Sequence, residues 1–235
     1  MQALILAAGR GARLGLEPDR PKCLADVGGR ALLDRYLDAL DTLSVPATIV
    51  IGHAAEAIRS HVAARATRPS LVMNDRYVEG SVVSLAAGLA TLDDDLLLLD
   101  GDVAFAPSLL DALHPAPASD ALLVDLDGVF TDEQYMAGVR DGCVVALRRA
   151  ALTAADGHQR QGEWVGFAKL SAAAVAQLCA AVDQQIARGG AGGGYEDALA
   201  GLLASVRFAC VPTAGAPWVE IDFPADLARA RELFA

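Results

Sequence analysis

The chain is expected to be an α/β protein, a Rossmann-like, mostly parallel sheet flanked by helices, with a small mixed or antiparallel subdomain in its second half. Three observations predict this. Apolar strand-like runs alternate with helical patterns up to about residue 120. Runs such as Ala47–Ile51 and Leu96–Leu99 are apolar along nearly their whole length, as strands covered on both faces are. Beyond about Ala121 the rhythm changes to short strands joined by polar turns such as Asp141-Gly142. All 235 residues are expected to form one domain.

The elements follow in order. Gln2–Ala7 is a strand, Arg30–Leu43 a helix, Ala47–Gly52 a strand and Ala54–Ala64 a helix. Ser70–Asn74 is the next strand, Ser81–Leu92 a helix and Leu96–Gly101 a strand. Such alternation implies right-handed crossovers and parallel neighbours. The second half holds strand candidates at Ala121–Leu126, Gly138–Val139, Cys143–Leu147 and Glu163–Ala168. Helical patterns return at Ser171–Arg188 and Tyr195–Ala204, and the five glycines of Gly189–Gly194 between them predict a flexible loop. Strand Trp218–Asp222 and helix Pro224–Phe234 close the chain, Pro224 suiting a first helical turn.

The chain is 54% hydrophobic and 21% charged, the composition of an ordinary globular protein, and its net charge is −11. An acidic surface argues against nucleic acid as a partner, yet allows a small anionic substrate in a cleft lined by local cations. No apolar stretch approaches the roughly 20 residues needed to cross a bilayer, so no membrane partner is expected. Cys23, Cys143, Cys179 and Cys210 are scattered without a CxxC pair, which suits a reducing cytoplasm and offers no zinc site. His53, His61, His114 and His158 show no ligand spacing.

The chemistry begins directly after the first strand. Leu6-Ala-Ala-Gly9-Arg-Gly11-Ala-Arg13-Leu-Gly15 is a small-residue loop whose backbone N–H groups can approach a phosphate closely. A dinucleotide fingerprint would need glycine where Leu14 stands, and the second strand ends in Ile51-Gly52-His53 with no acid for a ribose. The loop instead carries Arg10 and Arg13, followed by Arg20-Pro21-Lys22. Lys22 is one of two lysines against 17 arginines, a compact point charge suited to phosphate.

Two acidic strand ends complete the pattern. Asp100-Gly-Asp102 follows the apolar run Leu96–Leu99, placing carboxylates where open α/β sheets bind ligands. Buried charge there is costly unless solvated, paired or coordinating a cation, and hard divalent cations prefer such oxygens. In Trp218-Val-Glu220-Ile-Asp222, alternation puts Trp218, Glu220 and Asp222 on one face.

Leu6-Ala-Ala-Gly-x-Gly-x-Arg-Leu-Gly followed by Arg20-Pro21-Lys22-Cys23-Leu24 resembles the signature of the nucleotidyltransferases that make nucleoside-diphosphate-activated sugars and alcohols. The resemblance implies the nucleotidyltransferase fold. It implies that Leu6, Ala7, Ala8, Gly9 and Gly11 hold the base and phosphates of an incoming NTP, with Asp100 beside them. Arg13 and Lys22 match the catalytic cations, and Asp102 and Asp222 the pair that holds Mg²⁺. It further implies an NTP-binding half over residues 1–120 and an acceptor-binding half over 121–235.

The stretch from Asn74 to Leu85, with Trp218-x-Glu220-Ile-Asp222, is most similar to phosphocholine and phosphonate cytidylyltransferases. That resemblance implies CTP as donor, with Gly80 and Ser84 facing the base, and a phosphate- or phosphonate-bearing acceptor. Tyr195, Glu196, Asp197, Trp218 and Glu220 are the acceptor candidates, with Trp164, Tyr135, Asp125 and Asp127 behind them; acidic and aromatic groups together can receive an ammonium. Where relatives carry a lysine after Met136 this chain has Ala137, with Arg148-Arg149 the later basic position, so the acceptor stays open. A sugar-1-phosphate or inositol-phosphate nucleotidyltransferase using CTP, UTP or dTTP, a nucleotide-sensing domain, and a homodimer all remain compatible with the sequence.

Overall fold

A computed structural model of the chain describes residues 1–15, 20–128 and 134–235. Residues 16–19, inside the Leu6–Leu24 segment, lie outside the described residues.

The first half builds a parallel sheet by alternation. β1 (Gln2–Leu6) is followed by a small hairpin, β2 (Asp26–Val27) and β3 (Arg30–Ala31), then α1 (Leu32–Thr42). Next come β4 (Ala47–Ile51), α2 (Ala55–Ala63), β5 (Ser70–Met73), α3 (Ser81–Leu89) and β6 (Leu96–Asp100). β4 and β6 flank β1, both parallel to it, and β5 lies outside β4. The chain therefore winds β1, β4, β5 in one direction and then returns to the other side of β1 with β6. That reversal makes a crevice at the carboxyl ends of β1 and β6, where Leu6 and Asp100 are in register.

Each central strand sends alternate side chains to opposite faces. On β1, Ala3 and Ile5 join the core beneath α1, α2, α4 (Ser108–Leu113) and α7 (Pro224–Leu233), while Leu4 joins the core beneath α3 and α5 (Ala172–Ala187). Leu97 and Leu99 of β6 face the first core, Leu96 and Leu98 the second, and all four are fully buried. Burial of such side chains at about 1.5–3 kcal/mol each is the main force holding the layers together.

The second half extends the same sheet. β8 (Ala121–Asp125), β9 (Met136–Arg140), β10 (Cys143–Arg148), β11 (Arg160–Leu170) and β12 (Phe208–Pro212) complete nine strands in the order β5-β4-β1-β6-β11-β8-β12-β10-β9. β9 also pairs with the first half of β11, so β11, β8, β12, β10 and β9 form a closed circuit of pairings. The mixed region is present as expected, and it joins the parallel half edge to edge in one continuous sheet. The glycine run after α5 is ordered by contacts: Gln185 Nε2 donates to the Gly194 carbonyl at 2.8 Å, and Val82 N–H to that of Gly193 at 3.4 Å. It leads into α6 (Glu196–Gly201).

β7 (Val103–Phe105) and β13 (Trp218–Glu220) form a separate antiparallel pair. Glu220 is opposite Val103, and Ile221 N–H donates to the Asp102 carbonyl at 2.9 Å. This short ladder carries the end of the chain to the carboxyl end of β6. Among the described residues, no helix is long and apolar enough to cross a membrane.

Candidate active site

Asp102 stands in the turn between β6 and β7, and its backbone is fixed from below. The Tyr36 hydroxyl, fully buried on α1, accepts the Val103 N–H at 2.9 Å and lies 2.5 Å from the Asp100 carbonyl oxygen. Asp222 follows β13, and its N–H, with that of Phe223, is held by the Asp226 carboxylate in the first turn of α7 at 3.1 and 2.7 Å. An acid at that helical position takes up N–H groups that the helix itself leaves unpaired.

The two carboxylates converge on a lysine. Lys22 Nζ lies 2.7 Å from Asp222 Oδ1 and 3.0 Å from Asp102 Oδ2, and Arg13 Nη2 lies 2.7 Å from Asp222 Oδ2. The Arg13 guanidinium also sits over the Phe223 ring, 5.2 Å from its centroid. Burial works against the Lys22 charge, but Asp102 and Asp222 outweigh it and hold its pKa above the ordinary value.

Glu220 is the third carboxylate here. One oxygen from each of Asp102, Glu220 and Asp222 lies within 4.8 Å of the others. Burial, with repulsion from Asp102 and Asp222, pushes Glu220 up to about 8. Three oxygen donors short of countercharge are a donor set that suits a hard divalent cation, and Lys22 supplies a positive charge between two of them. The sequence placed Glu220 with the acceptor; its position also makes it a candidate ligand.

Two cavities meet at this cluster and share Asp100, Glu196 and Glu220. The first, of about 300 Å³, is walled by Leu6, Ala7, Ala8, Gly9 and Gly11 of the loop after β1, and by Gly80, Ser81 and Ser84 at the start of α3. Lys22, Asp102 and Tyr195 close its inner end. Gly80 packs so tightly on the glycine run that a Cβ there would lie 2.4 Å from the Gly193 carbonyl oxygen. The second cavity, of about 410 Å³, is lined by Arg13, Gln134, Tyr135, Arg149, Glu163, Trp164 and Asp222 among others.

Asp100 lies beneath both. It accepts a hydrogen bond from the Tyr195 hydroxyl at 2.8 Å, and burial, reinforced by Asp102 and Glu196, raises it well above the usual carboxylate range. β11 bulges past it at Gly166, whose φ of +87° is a left-handed conformation open to glycine; a Cβ there would stand 2.5 Å from Asp100 Oδ2. Asp100 is thus a half-buried wall residue rather than an open ligand.

Of the residues expected from sequence, the loop after β1, Arg13, Lys22, Gly80, Ser84, Asp100, Asp102, Tyr195, Glu196, Glu220 and Asp222 all line the joined cavities. Trp218 and Asp197 do not. The Trp218 indole donates to Asp125 at 2.9 Å and packs against the core, and Asp125 likewise is not among the residues lining the two cavities. Asp197 is exposed in the first turn of α6 and borders a separate depression beside α5, where a negative charge is favourable to the helix in its own right. Asp127 is exposed near Arg160, and Arg20 lies beside His61 in another hollow. Trp164 and Tyr135 do reach the second cavity, and so does Arg149, a cation on the chain segment after β10.

Sequence reasoning missed Gln134 and Glu163 in that cavity and Tyr36 and Asp226 beneath the carboxylates. Gln134 donates to Glu163 at 2.7 Å, and burial pushes Glu163 up to about 7 against that bond. Only the alternation of Glu163 with Val165 along β11 could have pointed to it.

Residues 3–188 match the family described as the MobA-like NTP transferase domain. The chain belongs to that family. Among NTP transferases and related curated proteins, it is 35% identical over 152 residues to a CMP-5'-(3-aminopropyl)phosphonate synthase of Streptomyces rubellomurinus, covering 56% of this chain and 24% of that protein. It is 30% identical over 235 residues to a bifunctional IPC transferase and DIPP synthase of Rubrobacter xylanophilus, covering 98% of this chain and 51% of the relative. The chain thus spans about a quarter and about half the length of these two relatives. In fold it superposes on the CTP:phosphocholine cytidylyltransferase of Streptococcus pneumoniae with a TM-score of 0.76 at 20% identity, over 100% of this chain and 99% of the other. The inositol-1-phosphate CTP transferase of T. maritima gives a TM-score of 0.76 at 18% identity, over 99% and 94%.

Proposed function

We propose that this NTP transferase is a cytidylyltransferase that moves CMP from CTP to a small phosphate- or phosphonate-bearing acceptor and releases pyrophosphate. The observation that carries the reading is the meeting of Arg13, Lys22, Asp102 and Asp222 at the junction of two cavities. One cavity suits a nucleotide, walled by backbone and small residues; the other suits the acceptor.

The acceptor's anionic oxygen attacks the α-phosphorus of CTP, the bond to the β-phosphate bridge oxygen breaks, and pyrophosphate leaves with the electron pair. The nucleophile is already ionised, so no side chain has to remove a proton. Lys22 and Arg13 leave their carboxylate partners to meet the phosphates, stabilising the charge on the α-phosphoryl oxygens and the leaving group. Asp102 and Asp222, with Glu220 beside them, would hold Mg²⁺, which neutralises phosphate charge at the reacting centre. The acidic cluster needs such help before it can receive a triphosphate.

In the acceptor cavity Arg13 and Arg149 supply positive charge, while Glu163 and Glu196 present carboxyl groups. Glu196 Oε2 is buried with no hydrogen-bond partner among the described residues. This suits a zwitterion, with phosphate or phosphonate at one end and ammonium at the other, in keeping with the aminopropylphosphonate named for the Streptomyces relative. A second reading, an inositol-phosphate acceptor, is favoured by the likeness in fold to the inositol-1-phosphate CTP transferase of T. maritima, alongside the match of 98% of this chain to half of the Rubrobacter IPC transferase and DIPP synthase.

Pyrophosphate release measured over CTP, UTP, dTTP, ATP and GTP with aminoalkylphosphonates, phosphocholine, inositol phosphate and hexose phosphates tests the proposal. CTP with an amine-bearing acceptor should be fastest. Faster turnover of UTP with a hexose phosphate than of CTP with any amine would overturn the acceptor assignment, and no pyrophosphate with any pair would overturn the activity.

A further inference from the structure

Asn74 and Ser84 are buried polar residues, 5% and 6% exposed, that meet at the wall of the nucleotide cavity. Asn74 Nδ2 donates to Ser84 Oγ at 2.9 Å. Asn74 Oδ1 accepts the backbone N–H of Arg76, also at 2.9 Å. A backbone N–H can only donate, so the amide oxygen has to face Arg76 and the amide nitrogen has to face the serine. The asparagine is itself anchored to the sheet, its N–H donating to the Ile51 carbonyl at 2.8 Å.

Ser84 Oγ is therefore the acceptor towards Asn74, and its hydrogen points elsewhere. Among the described residues, no hydrogen bond takes that hydrogen, and the serine lines the cavity. A hydroxyl normally serves as donor or acceptor by rotating; here one of its two lone pairs is taken and the hydrogen is kept from pointing at Asn74, which favours its donating into the cavity.

We propose that Asn74 is a positioning residue for base selection: it fixes Ser84 as a donor facing the cavity, so that a pyrimidine with a bare N3 is preferred over one whose N3 carries hydrogen. The inference rests on the reading that this cavity holds the base of the NTP. Cytosine presents N3 as an acceptor, whereas uracil and thymine present N3–H. A donor facing a donor leaves both unpaired in a buried place, a mismatch worth on the order of 10–100-fold in binding.

Equilibrium dissociation constants for CTP and UTP, measured by calorimetry with Mg²⁺ present, test this without any acceptor. Asn74→Asp keeps an acceptor for the Arg76 N–H and replaces the donor to Ser84 by a second acceptor. The serine hydrogen then turns to the carboxylate and a lone pair faces the base. The preference for CTP over UTP should fall about 10-fold or more; an extra negative charge weakens both nucleotides alike and cancels in the ratio. Ser84→Ala should also lower the preference, and adding Asn74→Asp to it should change the ratio no further. A wild-type protein that prefers CTP, with the ratio unmoved by Asn74→Asp, overturns the relay. Should Asn74→Asp not fold, an unmoved ratio in Ser84→Ala does the same. A wild-type protein with no preference for CTP overturns the base assignment and the relay together.

Discussion

Lys22 Nζ lies 2.7 Å from Asp222 Oδ1, which ties the loop after the first strand to the turn after the last. The same ammonium is 3.0 Å from Asp102. A side-chain cation thus stands between the two carboxylates proposed to bind a metal.

Two opposite effects are expected on replacing it. Lys22→Met should lower turnover by about 10²–10³-fold, the loss typical of one preorganised charge donor. The same variant should bind Mn²⁺ more tightly in the absence of nucleotide, because a competing positive charge is gone. Steady-state kinetics and Mn²⁺ titration followed by EPR check both, and weaker metal binding in the variant would contradict the competition.

Gly80→Ala should destabilise the fold. The added methyl would meet the carbonyl oxygens of Gly193 at 2.4 Å and Ala191 at 2.6 Å, both backbone atoms that cannot rotate away. A cost of about 1–3 kcal/mol is expected for such overpacking, with weaker nucleotide binding because the displaced run leads to Tyr195 and Glu196. Urea unfolding and calorimetry measure the two effects.

Tyr36→Phe removes the acceptor for the buried Val103 N–H and should cost about 1–3 kcal/mol. Since that contact also supports the turn holding Asp102, metal affinity should fall as well. A variant with ordinary stability and unchanged Mn²⁺ binding would show that the hydroxyl has no such role.

Glu163 carries a pH dependence. Burial raises it from 4.5 to about 7, so between those values the folded chain keeps a proton that the unfolded chain has released. Its contribution to stability is therefore full below about 4.5 and is lost as pH rises through about 7. Glu163→Gln should flatten the fall in Tm between about pH 5 and 8; identical slopes for variant and wild type would contradict the assignment.

The crevice was legible because its parts are local. Gly9, Gly11, Arg13 and Lys22 follow one strand, Asp102 ends another, and the apolar runs between them declare the parallel sheet. β13 was legible within Trp218–Asp222, but β7, only three residues long, was not, and it is their pairing that brings Asp222 to Asp102. β11 extends over Arg160–Leu170, well beyond Glu163–Ala168, because pairing with β9, β8 and β6 in turn overrides its glycines and charges. β12 and α4 went unnoticed for want of length or alternation. Alternation did place Trp218 on the face of Glu220, but Asp125, far away in sequence, claims its indole. Asp226 and Tyr36 look like any helix residues until the tertiary fold gives them partners.

The proposed chemistry requires Asp102 and Asp222 to share one divalent cation. Mn²⁺ titration of the wild-type protein, Asp102→Asn and Asp222→Asn with CTP present, followed by EPR, measures this directly. One tightly held ion is expected in the wild type, with its affinity lowered in each variant by about 10-fold or more, the order seen when the ligand shells of a metal site are disturbed. Undiminished Mn²⁺ affinity in either variant would contradict the shared cation.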